Sequence, residues 1–154
     1  MAKLIVMVGL PFSGKTTRAK ELAKEYNAIR FTPDKWQLEL FGSGFNNDLR
    51  IKITNIMTDL AFELLGKGLN VILDIGCWTR KERHALRTRT QNGGFDFAIC
   101  YCECPEEELM HRLEKRNTSP LHENENHGFI VSMEKYNKYV KEFEIPTKEE
   151  GPWI

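Results

Sequence analysis

Apolar and polar positions along this chain change period repeatedly, and the changes mark out alternating strands and helices. "KLIVMV" at 3–8 is a continuous apolar run of strand length, and Lys15 to Glu25 follows with Ala19, Leu22 and Ala23 at helical spacing. "AIRF" at 28–31 predicts a second strand. Thr32 then reads as a cap, with Pro33 at the first position of a short helix that stops at Gly42. Asn47 or Asp48 opens a long helix whose Leu49, Ile53, Ile56, Met57, Leu60 and Leu64 predict one inward stripe, ending at "GKG". "NVILDIG" is the third strand, "RKERHALRTRTQN" a helix halted by Gly93 and Gly94, and "FDFAICYCE" the fourth strand. A further helix is expected from Pro105 to about Arg116, then a polar irregular stretch from Asn117 to Gly128. Ser132 starts a last helix with Met133, Tyr136, Val140 and Phe143 as its stripe, and "GPWI" suggests a short edge strand.

Strands that are apolar throughout, separated by helices, imply a mostly parallel sheet covered on both faces, a three-layer α/β/α architecture. At 154 residues the chain is read as one domain, since a chain of about 150 residues buries roughly 70% of its unfolded surface. Lys and Arg balance Asp and Glu at 22 each, so no global field draws the protein to nucleic acid or membrane. Leu4 to Val8 is too short for a secretory signal or a spanning helix, and the expected location is cytoplasmic. Cys77, Cys100, Cys102 and Cys104 suit that reading as buried reduced thiols. "CYCEC" places three of them on one strand face, where bridges between neighbours would be strained.

Chemistry enters at "GLPFSGKTT", where Gly9-x-x-x-x-Gly14-Lys15-Thr16 fits the phosphate-loop pattern at every fixed position, between a predicted strand and a predicted helix. The glycines let backbone amides curl around phosphate oxygens, the helix N-terminus adds its positive end, Lys15 reaches the outer phosphates and Thr16 can ligate magnesium. The nucleotide-binding set is therefore Gly9, Pro11, Phe12, Ser13, Gly14, Lys15, Thr16 and Thr17, with ATP and Mg²⁺ as the expected ligands.

Such a loop hydrolyses, senses or transfers, and the second strand's exit bears on which. Pro33 holds Thr32 extended and places Asp34 in a first helical turn at the binding edge of the sheet. A carboxylate there suits a general base for an attacking hydroxyl, although the helix dipole alone also favours Asp at that position. Arg112 and Arg116 stand one turn apart, so both guanidinium groups share a helix face and can neutralise a transferring phosphoryl group; a surface pair of Glu108 with Arg112 is the alternative. A nucleotide-dependent switch would need a guanine-reading N-K-x-D after a strand, and the sequence holds none.

The phosphate loop, "RFTPDKW", "VILDIGCWTRKERHALR", "ECPEEELMHRLEKRN" and "YNKYVKEFEIP" together resemble the small phosphate-loop kinases that include zeta toxins, chloramphenicol phosphotransferase and the kinase domain of polynucleotide 5′-kinase. The resemblance spans nearly the whole chain. It implies strand order 2-3-1-4 and phosphoryl transfer from ATP to a hydroxyl, with a lid around 109–128. Lys15 and Thr16 then match the phosphate and magnesium positions, Asp34 the carboxylate that activates the acceptor, Arg112 and Arg116 the lid arginines, and Asp74 an acidic position that supports the metal. "FEIP" matches the segment that wraps the adenine.

The chain departs from that family at three places. Phe12 stands where a third loop glycine is common, Gln37 where polynucleotide kinases place an arginine that reads the acceptor's phosphate, and "DIG" where "D-T-N" is frequent. The last two argue against a nucleic-acid 5′-end as acceptor. Against them stands a basic stripe, Arg80, Arg83, His84 and Arg87, which reads either as a solvated helix face or as a hold on an anionic substrate. Trp36, Phe41, Phe62, Phe95 and Phe97 are expected in the core, whereas Trp78 is read either as lining an acceptor pocket or as anchoring its loop.

Overall fold

The computed structural model describes residues 1–42, 46–118 and 131–154. Within them the chain runs β1 (Lys3–Val8), α1 (Lys15–Glu25), β2 (Ala28–Phe31), α2 (Pro33–Phe41), α3 (Asn47–Gly66), β3 (Asn70–Leu73), α4 (Arg80–Asn92), β4 (Asp96–Tyr101), α5 (Glu106–Thr118) and α6 (Met133–Glu142), then a 3₁₀ turn at Lys148–Glu150. All strand pairs are parallel and the order is β2-β3-β1-β4. Trp153 adds an isolated parallel bridge to Ile99, the rudiment of the expected edge strand.

β1 lies at the centre, and its apolar run is explained by burial on both faces. Leu4, Val6 and Val8 pack with Met57, Ala61 and Leu65 of α3 and with Leu73 and Ile99; Ile5 and Met7 pack with Ala19 and Leu22 of α1 and with Ile72 and Cys100. Each Val, Leu, Ile and Met among them contributes roughly 1.5–3 kcal/mol by leaving water. The carboxyl ends of the strands therefore meet on one edge of the sheet, where the phosphate loop begins.

The apolar stripes of α3 and α6 follow the sequence reading only in part, with Ile53, Met57, Leu64, Tyr136 and Phe143 inward as expected, and two aromatics of α2 depart from it. On α3 the buried line is Met57, Ala61 and Leu65, while Ile56 is 59% exposed and Leu60 37%; small Ala61 lets the helix approach the sheet along that line, and this sets the helix's rotation. On α6 the inward face is Tyr136, against the cluster around α5, together with Tyr139, whose ring lies 4.6 Å from that of Trp78, so Met133 and Val140 point outward. Trp36 and Phe41 are not core residues; both are exposed, with Leu40 between them, because α2 packs mainly on α3.

α5 continues through Asn117 and Thr118, with Asn117 Nδ2 donating to the carbonyl of Val131 at 2.9 Å, where an irregular segment was expected. The remainder of the expected lid, 119–128, lies outside the described residues. All four cysteines are free thiols. Cys100 and Cys102 share a face, and a hydrogen bond between them draws the Cys100 thiol down to about 7, whereas Cys104 packs instead beside α5. Among the described residues no helix is long and apolar enough to cross a membrane.

Candidate active site at the phosphate loop

The loop leaves β1 at Gly9, where a Cβ would stand 2.6 Å from Ser13 Oγ and 2.8 Å from the carbonyl of Cys102, so only glycine lets the chain turn there. Gly14, at φ 90°, caps α1 in the left-handed conformation that glycine adopts without strain. Between them lie Pro11 and Phe12, and Ser13 N–H closes the turn on the Leu10 carbonyl at 3.3 Å. The Ser13 hydroxyl is buried and has no partner among the described residues, a group left for a ligand to satisfy. Lys15 donates from Nζ to the Leu10 carbonyl at 2.7 Å. Burial pulls its pKa below the ordinary lysine value even though Asp74 opposes the shift. Thr17 faces solvent on the first turn of α1.

Asp74, 7% exposed, follows β3 and gathers polar groups from three elements. Its Oδ2 accepts from Thr16 Oγ1 at 3.0 Å and from Thr32 Oγ1 at 3.3 Å, and it pairs with Arg30 at 3.5 Å. The Thr32 hydroxyl, expected to cap α2, turns to Asp74 and is itself bonded by Arg30. Burial raises the Asp74 pKa, with Lys15 and Thr16 opposing. Thr16 and Asp74 are adjacent hard oxygen donors of the kind Mg²⁺ takes alongside phosphate and water, and the loop is a glycine-lined cradle. The residues fit a magnesium–nucleotide.

Asp34 stands in the first turn of α2 with its side chain 47% exposed, and its Oδ1 accepts from Arg50 Nε at 2.9 Å. Arg50 also donates to the Ile75 carbonyl at 3.0 Å. Asp34 is near enough to act electrostatically on Lys15, Asp74, Arg116 and Tyr139. Sequence reasoning missed Arg50. Its signal was a cation in the first turn of α3, where the helix dipole disfavours one. Gln37, by contrast, is fully buried and donates to the Asn46 carbonyl at 3.0 Å, tying α2 to α3 and not facing the cleft.

The two arginines of α5 both reach the loop. Arg112 makes the Glu108 pair at 2.7 Å and also donates from Nη1 to the Phe12 carbonyl at 2.9 Å. Arg116 sets its guanidinium 5.1 Å from the centre of the Phe12 ring, and burial lowers its pKa. Phe12 itself has φ 67°, a left-handed conformation that costs an L-residue roughly 1–2 kcal/mol.

Of the basic stripe, Arg83 is fully buried. It is held by Glu150 at 2.5 and 3.2 Å and donates to the carbonyls of Cys77 and Trp78 at 2.9 and 3.1 Å. Arg80 pairs with the same Glu150 at 3.6 Å, and Arg87 donates to the Glu149 carbonyl at 2.9 Å. The stripe fastens the C-terminal segment to α4; Arg80, Lys81, His84 and Arg87 also edge an open groove of about 500 Å³ shared with Glu144, Glu149 and Glu150. Trp78 is a loop anchor, since its Nε1 donates to the Gly9 carbonyl at 3.2 Å and its own carbonyl accepts from Glu144 N–H at 2.9 Å.

A glycine-cradled loop between a central parallel strand and a helix, with lysine, threonine and a strand-end aspartate around it, defines a P-loop protein of the small-kinase type. The chain belongs to the family described as AAA domain, which it matches over residues 4–146. No protein of curated function matches it in sequence. Among solved structures it is similar to Chaetomium thermophilum Kti12 in complex with ADP-AlF3 (TM-score 0.73, 19% identity, 98% of this chain and 87% of that one). It is also similar to the Mycobacterium tuberculosis APS kinase CysC in complex with AMPPNP and APS (TM-score 0.59, 21% identity, 72% and 68%). A chain of the Pnkp1/Rnl/Hen1 RNA repair complex matches with TM-score 0.69 and 26% identity over 92% of this chain, which spans 43% of that one.

Proposed function

We propose that this protein is an ATP-dependent phosphotransferase that moves the γ-phosphate of ATP to a hydroxyl of a small molecule, a nucleotide or a nucleic-acid 5′ end. One domain over 1–154 carries the reaction, with the segment around 109–128 as its lid. The observation that supports it most is Asp34, a half-exposed carboxylate held by Arg50 within electrostatic reach of Lys15 and Arg116. Nucleotide sensing needs no carboxylate at that place, and plain hydrolysis, which would use it on water, is separated from transfer by the product formed.

In this reading Asp34 accepts the proton of the acceptor hydroxyl, the freed oxygen bonds to the γ-phosphorus, and the bond from that phosphorus to the β-phosphate oxygen breaks to release ADP. Lys15 and Arg116 sit against the charge of the transferring group, with Arg112 holding the helix that carries Arg116. Magnesium, held at Thr16 with Asp74 in support, would offset charge on the outer phosphates. Arg50 supplies beside Asp34 the cation that Gln37 does not, so an anionic acceptor has a partner there. The test is transfer of labelled γ-phosphate across nucleosides, oligonucleotide 5′-ends, sugars and antibiotics. Labelled product with one acceptor class is the expected result; release of inorganic phosphate alone, whatever is added, would overturn the reading.

A further inference from the structure

Phe12 is held by three independent features that a phosphate loop does not require. Its backbone is in the left-handed region at φ 67°, where a glycine would sit without strain. Its ring packs on the cluster of Leu109 and Leu113 from α5, Tyr136 from α6 and Val131 just before α6. Both arginines of α5 engage it, Arg112 through the carbonyl at 2.9 Å and Arg116 over the ring at 5.1 Å. A strained residue persists where surrounding contacts over-determine it, and the strain then marks a function.

We infer that Phe12 is a positioning residue that docks the arginine helix α5 onto the phosphate loop and sets Arg116 where phosphoryl charge develops. The carbonyl fixes the height of α5 through Arg112, and the ring face orients the Arg116 guanidinium by cation–π attraction. Because Ser13 and Gly14 follow directly in the chain, any shift of the loop moves α5 with it. Loop and arginine helix thus act as one body. The role assigned to Arg116 rests on the phosphotransferase reading, whereas the docking itself does not.

The experiment uses the full chain with Phe12→Gly, Phe12→Leu and Phe12→Tyr. Hydrogen exchange over 106–118 is measured without nucleotide, and affinity is measured for Mg-ADP with and without aluminium fluoride, which mimics the transferring phosphoryl group. Phe12→Gly relieves the backbone strain and keeps every loop amide; α5 then exchanges faster and the aluminium fluoride preference, taken as a ratio of the two affinities of the same variant, falls. Phe12→Leu keeps the apolar packing and slow exchange but loses the ring face, lowering that preference by about threefold to thirtyfold. Phe12→Tyr restores both. Packing alone would leave Phe12→Leu with the parent's preference, and that result overturns the positioning of Arg116. Parent-like exchange in Phe12→Gly overturns the docking. Should the parent itself bind Mg-ADP no better with aluminium fluoride, the phosphotransferase reading fails and the Arg116 role with it, while faster exchange in Phe12→Gly still establishes the dock.

Discussion

Arg50 donates from Nε to Asp34 Oδ1 at 2.9 Å and from Nη2 to the Ile75 carbonyl at 3.0 Å, so the carboxylate at the exit of β2 is oriented by an arginine from α3 braced against the chain beyond β3. Three elements meet in that one pair. The carboxylate keeps 47% of its side chain exposed, which leaves it open to an acceptor while its partner limits where it points.

Asp34→Asn should bind Mg-ATP close to normally, because the phosphate loop, Lys15 and Thr16 are untouched, yet transfer should fall by roughly 10²–10⁴ for the loss of a positioned base. Arg50→Gln should lower transfer less, since the base survives and only its orientation goes. Nucleotide affinity and transfer rate on the same preparations check both; transfer at the parent rate in Asp34→Asn would remove the base from the mechanism.

Lys15→Ala should abolish productive ATP binding. Lys15 Nζ lies at the Leu10 carbonyl inside the loop, and the arginines around the loop engage elsewhere, Arg50 at Asp34, Arg112 at Phe12 and Arg30 at Asp74. Calorimetric titration with Mg-ATP decides it, with normal affinity as the contrary result.

Arg83 and Glu150 form the pair on which the C-terminal segment depends. Arg83→Leu leaves Glu150, 11% exposed at its side chain, without its main partner, and removal of one member of a buried pair costs about 3–5 kcal/mol. Burial tends to raise the Glu150 pKa, but Arg83, the Thr147 N–H and Arg80 outweigh it and hold the carboxyl below its ordinary 4.5. A lowered folded-state value means that this stabilisation is present above pH 4.5 and is lost as pH falls through the lowered value. Melting temperatures taken down from pH 7 should show an acid limb in the parent that is shallower in Glu150→Gln.

The exposed ridge on α2 should tolerate charge. Leu40 is 64% exposed and Leu22 is fully buried, so Leu40→Glu should change stability by no more than about 0.5 kcal/mol, whereas Leu22→Ala should cost about 2–5 kcal/mol. Denaturant midpoints of the two variants give the comparison. A large loss in Leu40→Glu would mean that the ridge is covered in solution.

By itself the sequence determined the element order, the parallel α/β architecture and the phosphate loop, and it put Asp34 in a first helical turn and Arg112 and Arg116 on one helix face, because each is written in local patterns: apolar period, glycine spacing, Pro33 after a strand; Asp74 entered only through the family resemblance. The rotation of α3 and α6 was not legible, since Ile56 and Leu60 fit the same helical period as Met57 and Ala61, and only the close approach at Ala61 decides which line meets the sheet. Gln37 and Arg50 show the same limit at the site. Spacing put Gln37 three residues after Asp34, but the packing of α2 on α3 buries it and brings Arg50, 16 residues downstream, to the carboxylate. Arg83 sat in a stripe that periodicity reads as one face, yet the return of the C-terminal chain placed Glu150 opposite it and made that one cation interior. Pairings between residues distant in the chain depend on how whole elements rotate and dock, and that information exists only once the core has packed.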